Sequence, residues 1–354
     1  MSAVISVPIH TAPPYTVFVG SGLLDRCGEA SASLSGCRRA AVITDTTVGP
    51  LYLPGVERSL RRAGLTVCSY LYPAGESAKT LSTLSGILEF LAEHRLTRTD
   101  CVLALGGGVC GDLAGFAAGC YLRGIRFLQL PTSLLAAVDA SVGGKTAVNL
   151  PQGKNLAGLF HQPSAVLCDT DCLCSLPETE LSCGAAEAVK TGVLAGEELF
   201  SLLEGGFPPD WTEVIARCVA CKGQIVDSDP EEHGPRRLLN LGHTMGHAVE
   251  LCSGFSIPHG QAVAMGLACA ARAARRLGWT EEPCAGRISA ALEQFRLPVL
   301  PPFSAAELAA AAQTDKKRAG DSVTLIIPAR IGKCELRTIP LTELEAFFSA
   351  GTEV

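Results

Sequence analysis

The feature that most constrains the fold is a change of rhythm near residue 170. Before it, short apolar runs alternate with helical patterns. Residues 15–19, 40–45, 65–72, 101–105 and 127–130 read as strands, and 55–63 and 80–94 as helices. In 80–94, Leu81, Leu84, Leu88 and Leu91 recur at helical spacing. Strands alternating with helices imply a parallel sheet covered on both faces. From about residue 178, helical stretches follow one another at 180–204, 211–227, 240–252, 260–277, 283–295 and 304–313. A strand pair follows at 323–327 and 334–339. The expected organisation is an α/β domain over residues 1–170 and a mainly helical domain over 171–354.

Charge and composition narrow the function. The 354 residues include 29 Lys or Arg against 35 Asp or Glu, a net charge of −6, which argues against a non-specific nucleic-acid binder. A hydrophobic content of 47% argues against disorder. The first twenty residues carry no Lys or Arg, and prolines at 8, 13 and 14 interrupt any apolar run. No apolar run reaches the ~18 residues of a membrane span. The expectation is a cytoplasmic protein that binds neither nucleic acid nor membrane. Sixteen irregularly spaced cysteines in a chain this long fit a reduced compartment better than a disulfide framework. Cys218 and Cys221 form a CxxC with no second pair, and read as two small buried thiols one helical turn apart.

Three segments carry polar chemistry. The run 102–112 is a strand, a Gly106-Gly107-Gly108 turn and a helix start, ending at Asp112. Backbone amides and a helix dipole there suit a phosphate or pyrophosphate, or merely a tight turn. It is not GxGxxG. Asp45, at the end of an earlier strand, is placed either to accept a ribose hydroxyl or to cap a turn. A second segment runs from Asp139 through Gly143-Gly144-Lys145-Thr146 to Gly153-Lys154-Asn155; it lacks the leading glycine of a Walker loop. Its lysines and asparagine, read as sitting in glycine-rich loops, can bind an anion.

The third segment is the most specific. Arg236, Asn240, His243, His247 and Glu250 follow steps of 4, 3, 4 and 3 among apolar neighbours, and His259 follows Pro258. Any helical part of this stretch puts its polar groups on one face. Glu187, with Lys190 three residues on, lies in an otherwise apolar helical stretch. One glutamate and two histidines form a divalent-metal set with open positions. Spacing alone leaves open which two of the three histidines take part.

In this order, these residues resemble the 3-dehydroquinate synthase family over nearly the whole chain. The matching runs are 73–76 with Lys79, 106–112, 130–135, Asp139 with 143–146, 153–155, Ala186-Glu187 with Lys190, 239–247, His259 and Asp315-Lys316-Lys317. The resemblance implies a Rossmann-like NAD-binding α/β domain followed by a mainly α-helical metal-binding domain. It implies conversion of a sugar-acid phosphate, 3-deoxy-D-arabino-heptulosonate 7-phosphate, to 3-dehydroquinate and phosphate, a step of the shikimate pathway to chorismate and the aromatic amino acids. The route is transient oxidation by NAD, phosphate elimination, reduction and intramolecular aldol closure.

By the same resemblance, Glu187, His243 and His259 hold a divalent metal, zinc or cobalt. Lys145, Asn155, Asn240 and His247 hold the substrate phosphate, with Arg123 reaching in from the second subunit of a homodimer. Lys222 and Arg236 hold the carboxylate, and Asp139 and Lys190 contact the reacting hydroxyls. Asp45, Glu76, Lys79, Gly107, Gly108, Asp112, Thr132 and Lys154 line the NAD site. The alternative is an amino-dehydroquinate synthase or another sugar-phosphate cyclase; the paired Lys222 and Arg236 favour an acid substrate.

Overall fold

Neighbouring residues along the central strands face opposite ways, and both faces are apolar. Ala41 and Ile43 pack with Val102, Ala104 and Phe127 on one side; Ala40 and Val42 pack with Leu103, Leu105 and Leu128 on the other. Such strands are stable only with helices on both faces. The computed structural model describes residues 4–208, 210–230, 232, 234–313 and 321–353. It divides into two units, Met1–Leu176 and Pro177–Val354.

The first unit runs β1 (Ile5–Ile9), β2 (Tyr15–Gly20), α1 (Cys27–Ala32), β3 (Arg39–Asp45), α2 (Gly49–Arg62), β4 (Thr66–Tyr72) and α3 (Leu81–Glu93). It continues through β5 (Cys101–Gly106), α4 (Gly108–Cys120), β6 (Arg126–Pro131), β7 (Lys145–Leu150), β8 (Gly153–Phe160) and β9 (Ala165–Asp169). Seven strands form one sheet in the order β1-β2-β9-β6-β5-β3-β4. Only β1 pairs antiparallel in it. One core, with α3 and α4, lies on one face; the other, with α1 and α2, lies opposite. After β4 the chain returns to pair β5 on the far side of β3. That reversal opens a crevice at the carboxyl ends of β3 and β5, where open α/β sheets take ligands.

Two expectations change here. Residues 145–160 are not loops but an antiparallel hairpin, β7–β8; each strand has glycines or polar residues where alternating apolar ones would have announced it. Helix α2 starts at Gly49, ahead of the expected 55, because Pro50 falls in its first turn, where a missing N–H is harmless.

The second unit contains α5 (Glu178–Ala195), α6 (Glu197–Leu203), α7 (Thr212–Ser228), α8 (His243–Cys252), α9 (His259–Arg276), α10 (Ala285–Gln294) and α11 (Ala305–Ala312). Then come β10 (Ser322–Arg330), β11 (Lys333–Pro340) and α12 (Leu344–Thr352). The stretch expected as one helix over 180–204 is broken at Gly196, whose φ of +117° ends α5. Helices α8, α9, α11 and α12 pack with the β10–β11 hairpin around one apolar core. No helix among the described residues is long and apolar enough to cross a membrane.

Candidate active site

In the first unit Asp45, Gly107, Gly108 and Thr132 lie at or just after strand ends. Strand β5 delivers Gly106 into the turn, and α4 begins on Gly108. Asp45, at the end of β3, uses Oδ1 to accept the amides of Thr47 and Val48, 2.8 and 2.9 Å away, as a turn cap. Its Oδ2 faces Gly106, 3.8 Å from where a Cβ would stand there. The capping alternative is thus realised, with one oxygen left on the crevice side. Thr132 is buried, and its amide bonds the Gly106 carbonyl at 3.0 Å.

Lys79 is buried and pairs with Asp112. Its Nζ also donates to Asn155 Oδ1 at 2.5 Å. Asn155, at φ +55°, has its own amide held by Asn149 Oδ1 at 2.8 Å. Asn149 Nδ2 donates to Glu76 Oε1 at 2.7 Å. Asn149 therefore ties Glu76 to the hairpin that carries Lys145, Lys154 and Asn155, a role the sequence reading missed. Its position between those residues was the available signal. Asp139 sits in a one-turn π-helical segment, Ala136–Ala140, a geometry frequent at functional sites. Arg123 lies in an exposed turn in which Leu122, Arg123 and Gly124 all have positive φ.

In the second unit the site is built inside packed helices. Ser182 to Val193 of α5 are all buried, so Glu187 and Lys190 cannot reach bulk water. Isolated charges there are strongly unfavourable. They meet each other, with Lys190 Nζ 2.5 Å from Glu187 Oε2. Neither Glu187 oxygen has an aligned hydrogen bond among the described residues, so Lys190 is an ion-pair partner that leaves ligand capacity on the carboxylate. On the other side, His243 Nε2 and His259 Nε2 each lie 3.5 Å from Glu187 Oε1.

Close packing puts these groups together. A Cβ on Gly260 would be 2.4 Å from Cys183 Cα, and one on Gly266 would be 2.0 Å from Gly242 O. The first contact presses the start of α9, with His259, onto α5 one turn before Glu187. The second holds the start of α8, with His243, against α9. Gly242 itself has φ +80°. That turn corrects the expected helix over 240–252: α8 starts at His243, while Arg236 and Asn240 lie in a separate 3₁₀ segment, Pro235–Asn240. The polar stripe is therefore not one continuous helical face.

Burial pushes the Glu187 carboxyl up, but Lys190, His243 and His259 outweigh it and hold it well below the usual carboxylate range. Burial drives the His243 imidazole well below its ordinary value. For His259, burial is overcome by the facing carboxylates of Glu187 and Glu250, which raise it to about 9. The Nδ1 atoms are engaged elsewhere, His243 with Leu241 O at 3.1 Å and His259 with Glu250 Oε2 at 3.2 Å. Both Nε2 atoms are thereby turned to Glu187. Ligands about 2.0–2.1 Å from a tetrahedral ion stand roughly 3.3 Å apart, so the 3.5 Å separations fit one divalent ion. The ligand atoms of Glu187, His243 and His259 all lie within 4.8 Å of one another. His247 is outside that cluster, its ring centroid 5.5 Å from that of His243.

Elsewhere in this unit, Lys222 on α7 is buried and Arg236 is among the largest fully buried side chains. Arg236 Nη1 donates to Pro230 O at 2.5 Å, and Asn240 Nδ2 to Glu232 Oε1 at 2.9 Å. The Asp315-Lys316-Lys317 motif lies outside the described residues.

The second unit carries a metal-competent carboxylate–histidine cluster and the first a glycine turn at a sheet switch point, features that fit the class of the sugar-phosphate cyclases. The chain is 30% identical to 2-epi-5-epi-valiolone synthase of Streptomyces hygroscopicus subsp. jinggangensis 5008, solved with NAD+ and Zn2+. That match covers 94% of this chain and 95% of that one, at a TM-score of 0.84. It shares its fold with 2-deoxy-scyllo-inosose synthase, solved with carbaglucose-6-phosphate, NAD+ and Co2+, at a TM-score of 0.87 and 24% identity over 99% of this chain and 100% of that one.

The 3-dehydroquinate synthase N-terminal profile matches residues 69–183 and the C-terminal profile residues 184–318. The 3-dehydroquinate synthase of Xanthomonas axonopodis pv. citri (strain 306) is 44% identical over 348 residues, 94% of each chain. The chain belongs to the 3-dehydroquinate synthase family of enzymes.

Proposed function

We propose that the chain converts 3-deoxy-D-arabino-heptulosonate 7-phosphate to 3-dehydroquinate and phosphate, with NAD held by the first unit and a divalent metal, zinc or cobalt, held by Glu187, His243 and His259. The observation that carries this reading is the turn of two histidine Nε2 atoms onto one buried carboxylate oxygen. When bound, the metal supplies Lewis-acid polarisation of substrate hydroxyls and NAD supplies a reversible hydride acceptor.

The chain's own residues bind and orient. Lys222 and Arg236 hold the substrate carboxylate, and their burial in the apolar interior of the second unit supports a task worth the desolvation. Lys145, Asn155, Asn240 and His247 hold the phosphate. Asp139 and Lys190 contact the hydroxyls; Lys190, next to Glu187, keeps a positive charge where negative charge develops on oxygen. For NAD, Gly107 and Gly108 present backbone amides to the pyrophosphate, and the inward oxygen of Asp45 accepts a ribose hydroxyl. Glu76, Lys79, Asp112, Thr132 and Lys154 line the rest, and the Lys79–Asp112–Asn155 linkage supports a shared nucleotide and phosphate region. Arg123 serves the neighbouring protomer of a homodimer, and the enzyme is cytoplasmic.

The test is turnover of this substrate by metal-stripped protein, then by protein reloaded with zinc or cobalt, with catalytic NAD. Phosphate, 3-dehydroquinate and NADH are followed together. Equal, metal-dependent phosphate and dehydroquinate without net NADH is the expected result. No phosphate from folded, loaded protein removes the reading and directs the search to amino-dehydroquinate synthase or another cyclase substrate.

A further inference from the structure

Glu250, on α8, is 4% exposed, and the proposed chemistry gives it no task. A carboxylate buried this deeply is unfavourable unless a donor or a positive charge meets it. The ring of His259 does so: Glu250 Oε2 stands 3.2 Å from Nδ1, while Nε2 of the same ring is 3.5 Å from Glu187 Oε1. An ionised carboxylate can only accept, so Nδ1 carries a hydrogen; a metal that displaces the Nε2 proton then meets a lone pair facing the cluster.

We propose that Glu250 is a positioning residue for the metal centre: by accepting the Nδ1–H of His259 it fixes the tautomer and ring orientation of that ligand. The inference rests on the metal-site reading above. Helix α8 then acts twice. Its first residue, His243, is itself a ligand, and Glu250, two turns further on, orients the other histidine. The connection between Glu250 and His259 is pinned to keep the spacing. Phe255 N and Ser253 Oγ both donate to Glu250 O, at 2.7 and 2.9 Å, and Ile257 N donates to Ser253 Oγ at 3.3 Å.

The two histidines are held differently. His243 Nδ1 meets a neutral carbonyl, Leu241 O, whereas His259 Nδ1 meets a full negative charge. A divalent ion with Glu187 as its anionic ligand keeps one net positive charge and Lys190 adds another, and Glu250 offsets one of the two. A carboxylate behind a ligating imidazole also makes it a stronger donor. His259 is therefore the ligand whose hold on the ion depends most on its outer partner.

The test uses full-length protein, stripped of metal and titrated with Co2+ in competition with a chelator. The visible absorption band of bound cobalt reports ligand geometry, and circular dichroism reports folding. Glu250→Ala is expected to weaken cobalt affinity by about 10–100-fold and to alter the band. Glu250→Gln keeps an acceptor oxygen for Nδ1–H but not the charge, and is expected to recover part of that affinity. A folded Glu250→Ala protein with wild-type affinity and band overturns the proposal, and so does a Glu250→Gln protein as weak as Glu250→Ala. If Glu250→Ala does not fold, Glu250→Asp replaces it; that variant keeps the charge but withdraws the oxygen, and wild-type affinity in it overturns the proposal. Wild-type protein that binds no cobalt removes the metal-site reading and this role with it. Wild-type binding with unaffected Glu250 variants removes this role alone.

Discussion

The two units build polar sites by opposite means. In the first, the site stands at strand ends, and its side chains are fixed by hydrogen bonds to one another and to turns, as in Asp45 with Thr47 and Val48, or Glu76 with Asn149 and Asn155. In the second, the groups sit inside a helix buried on all sides, and glycine contacts between helices fix their positions. A hydrogen-bonded rim tolerates small backbone shifts, because bonds can be remade with water. A charge in a packed interior does not, because nothing replaces a lost partner.

Removing that partner gives the largest expected effect. Glu187→Ala should abolish metal binding and turnover together and leave Lys190 buried without its carboxylate. Metal analysis and denaturant unfolding should show loss of the ion and a destabilisation of about 3–5 kcal/mol. A variant that kept metal and activity would break the contrast. His247→Ala should separate ligand from substrate contact, keeping the metal while lowering kcat by about 10²–10⁴-fold. Loss of metal in it would mean that the helix histidines had been assigned the wrong way round.

Glycine substitutions sharpen the comparison. Gly260→Ala forces a Cβ to 2.4 Å from Cys183 backbone and should cost about 1–3 kcal/mol, with weaker metal binding. Gly108→Ala meets the Ala140 Cβ at 3.4 Å and gains helix propensity, so stability should change by less than about 1 kcal/mol while NAD binding weakens. Equal stability effects would show that both sites are packed alike.

The smallest effect is in the pH dependence of metal-free protein. The folded pKa of His259 is raised to about 9 from an ordinary 6.5. Its contribution is fully present below pH 6.5 and is lost as pH rises through 9, so the Tm in chelator should fall across that window. A flat profile would indicate that solvent at the ring, whose side chain is 36% exposed, screens the two carboxylates.

These differences also set what could be read in advance. The strands β3, β5 and β6 were legible because buried parallel strands are continuous apolar runs, and β4, at the sheet edge, because its β-branched and aromatic residues favour a strand. The glycine turn after β5 was legible because strand, glycines and helix follow in direct succession. The β7–β8 hairpin was not, since its polar and glycine residues are held by partners far away in the chain, Lys79 with Asn155 among them. In the second unit, spacing supplied three candidate histidines but could not choose between them. The choice depends on where α9 crosses α5, which is set by Gly260 against Cys183. Glu250 was visible in the polar stripe, yet its partner lies across a turn that sequence spacing does not describe.

The sixteen cysteines, none of them disulfide-bonded, give the molecule a clock. Cys120 and Cys174 are exposed and Cys37, Cys68, Cys221, Cys252 and Cys334 half-buried, whereas Cys27, Cys101, Cys110, Cys168 and Cys172 in the first unit and Cys183, Cys218, Cys269 and Cys284 in the second are buried. An alkylating reagent therefore marks the two exposed thiols first, the half-buried ones next, and the buried ones only as their surroundings open. Because each unit holds its own buried thiols, peptide masses taken over time report which unit loosens first and whether metal slows the second unit alone.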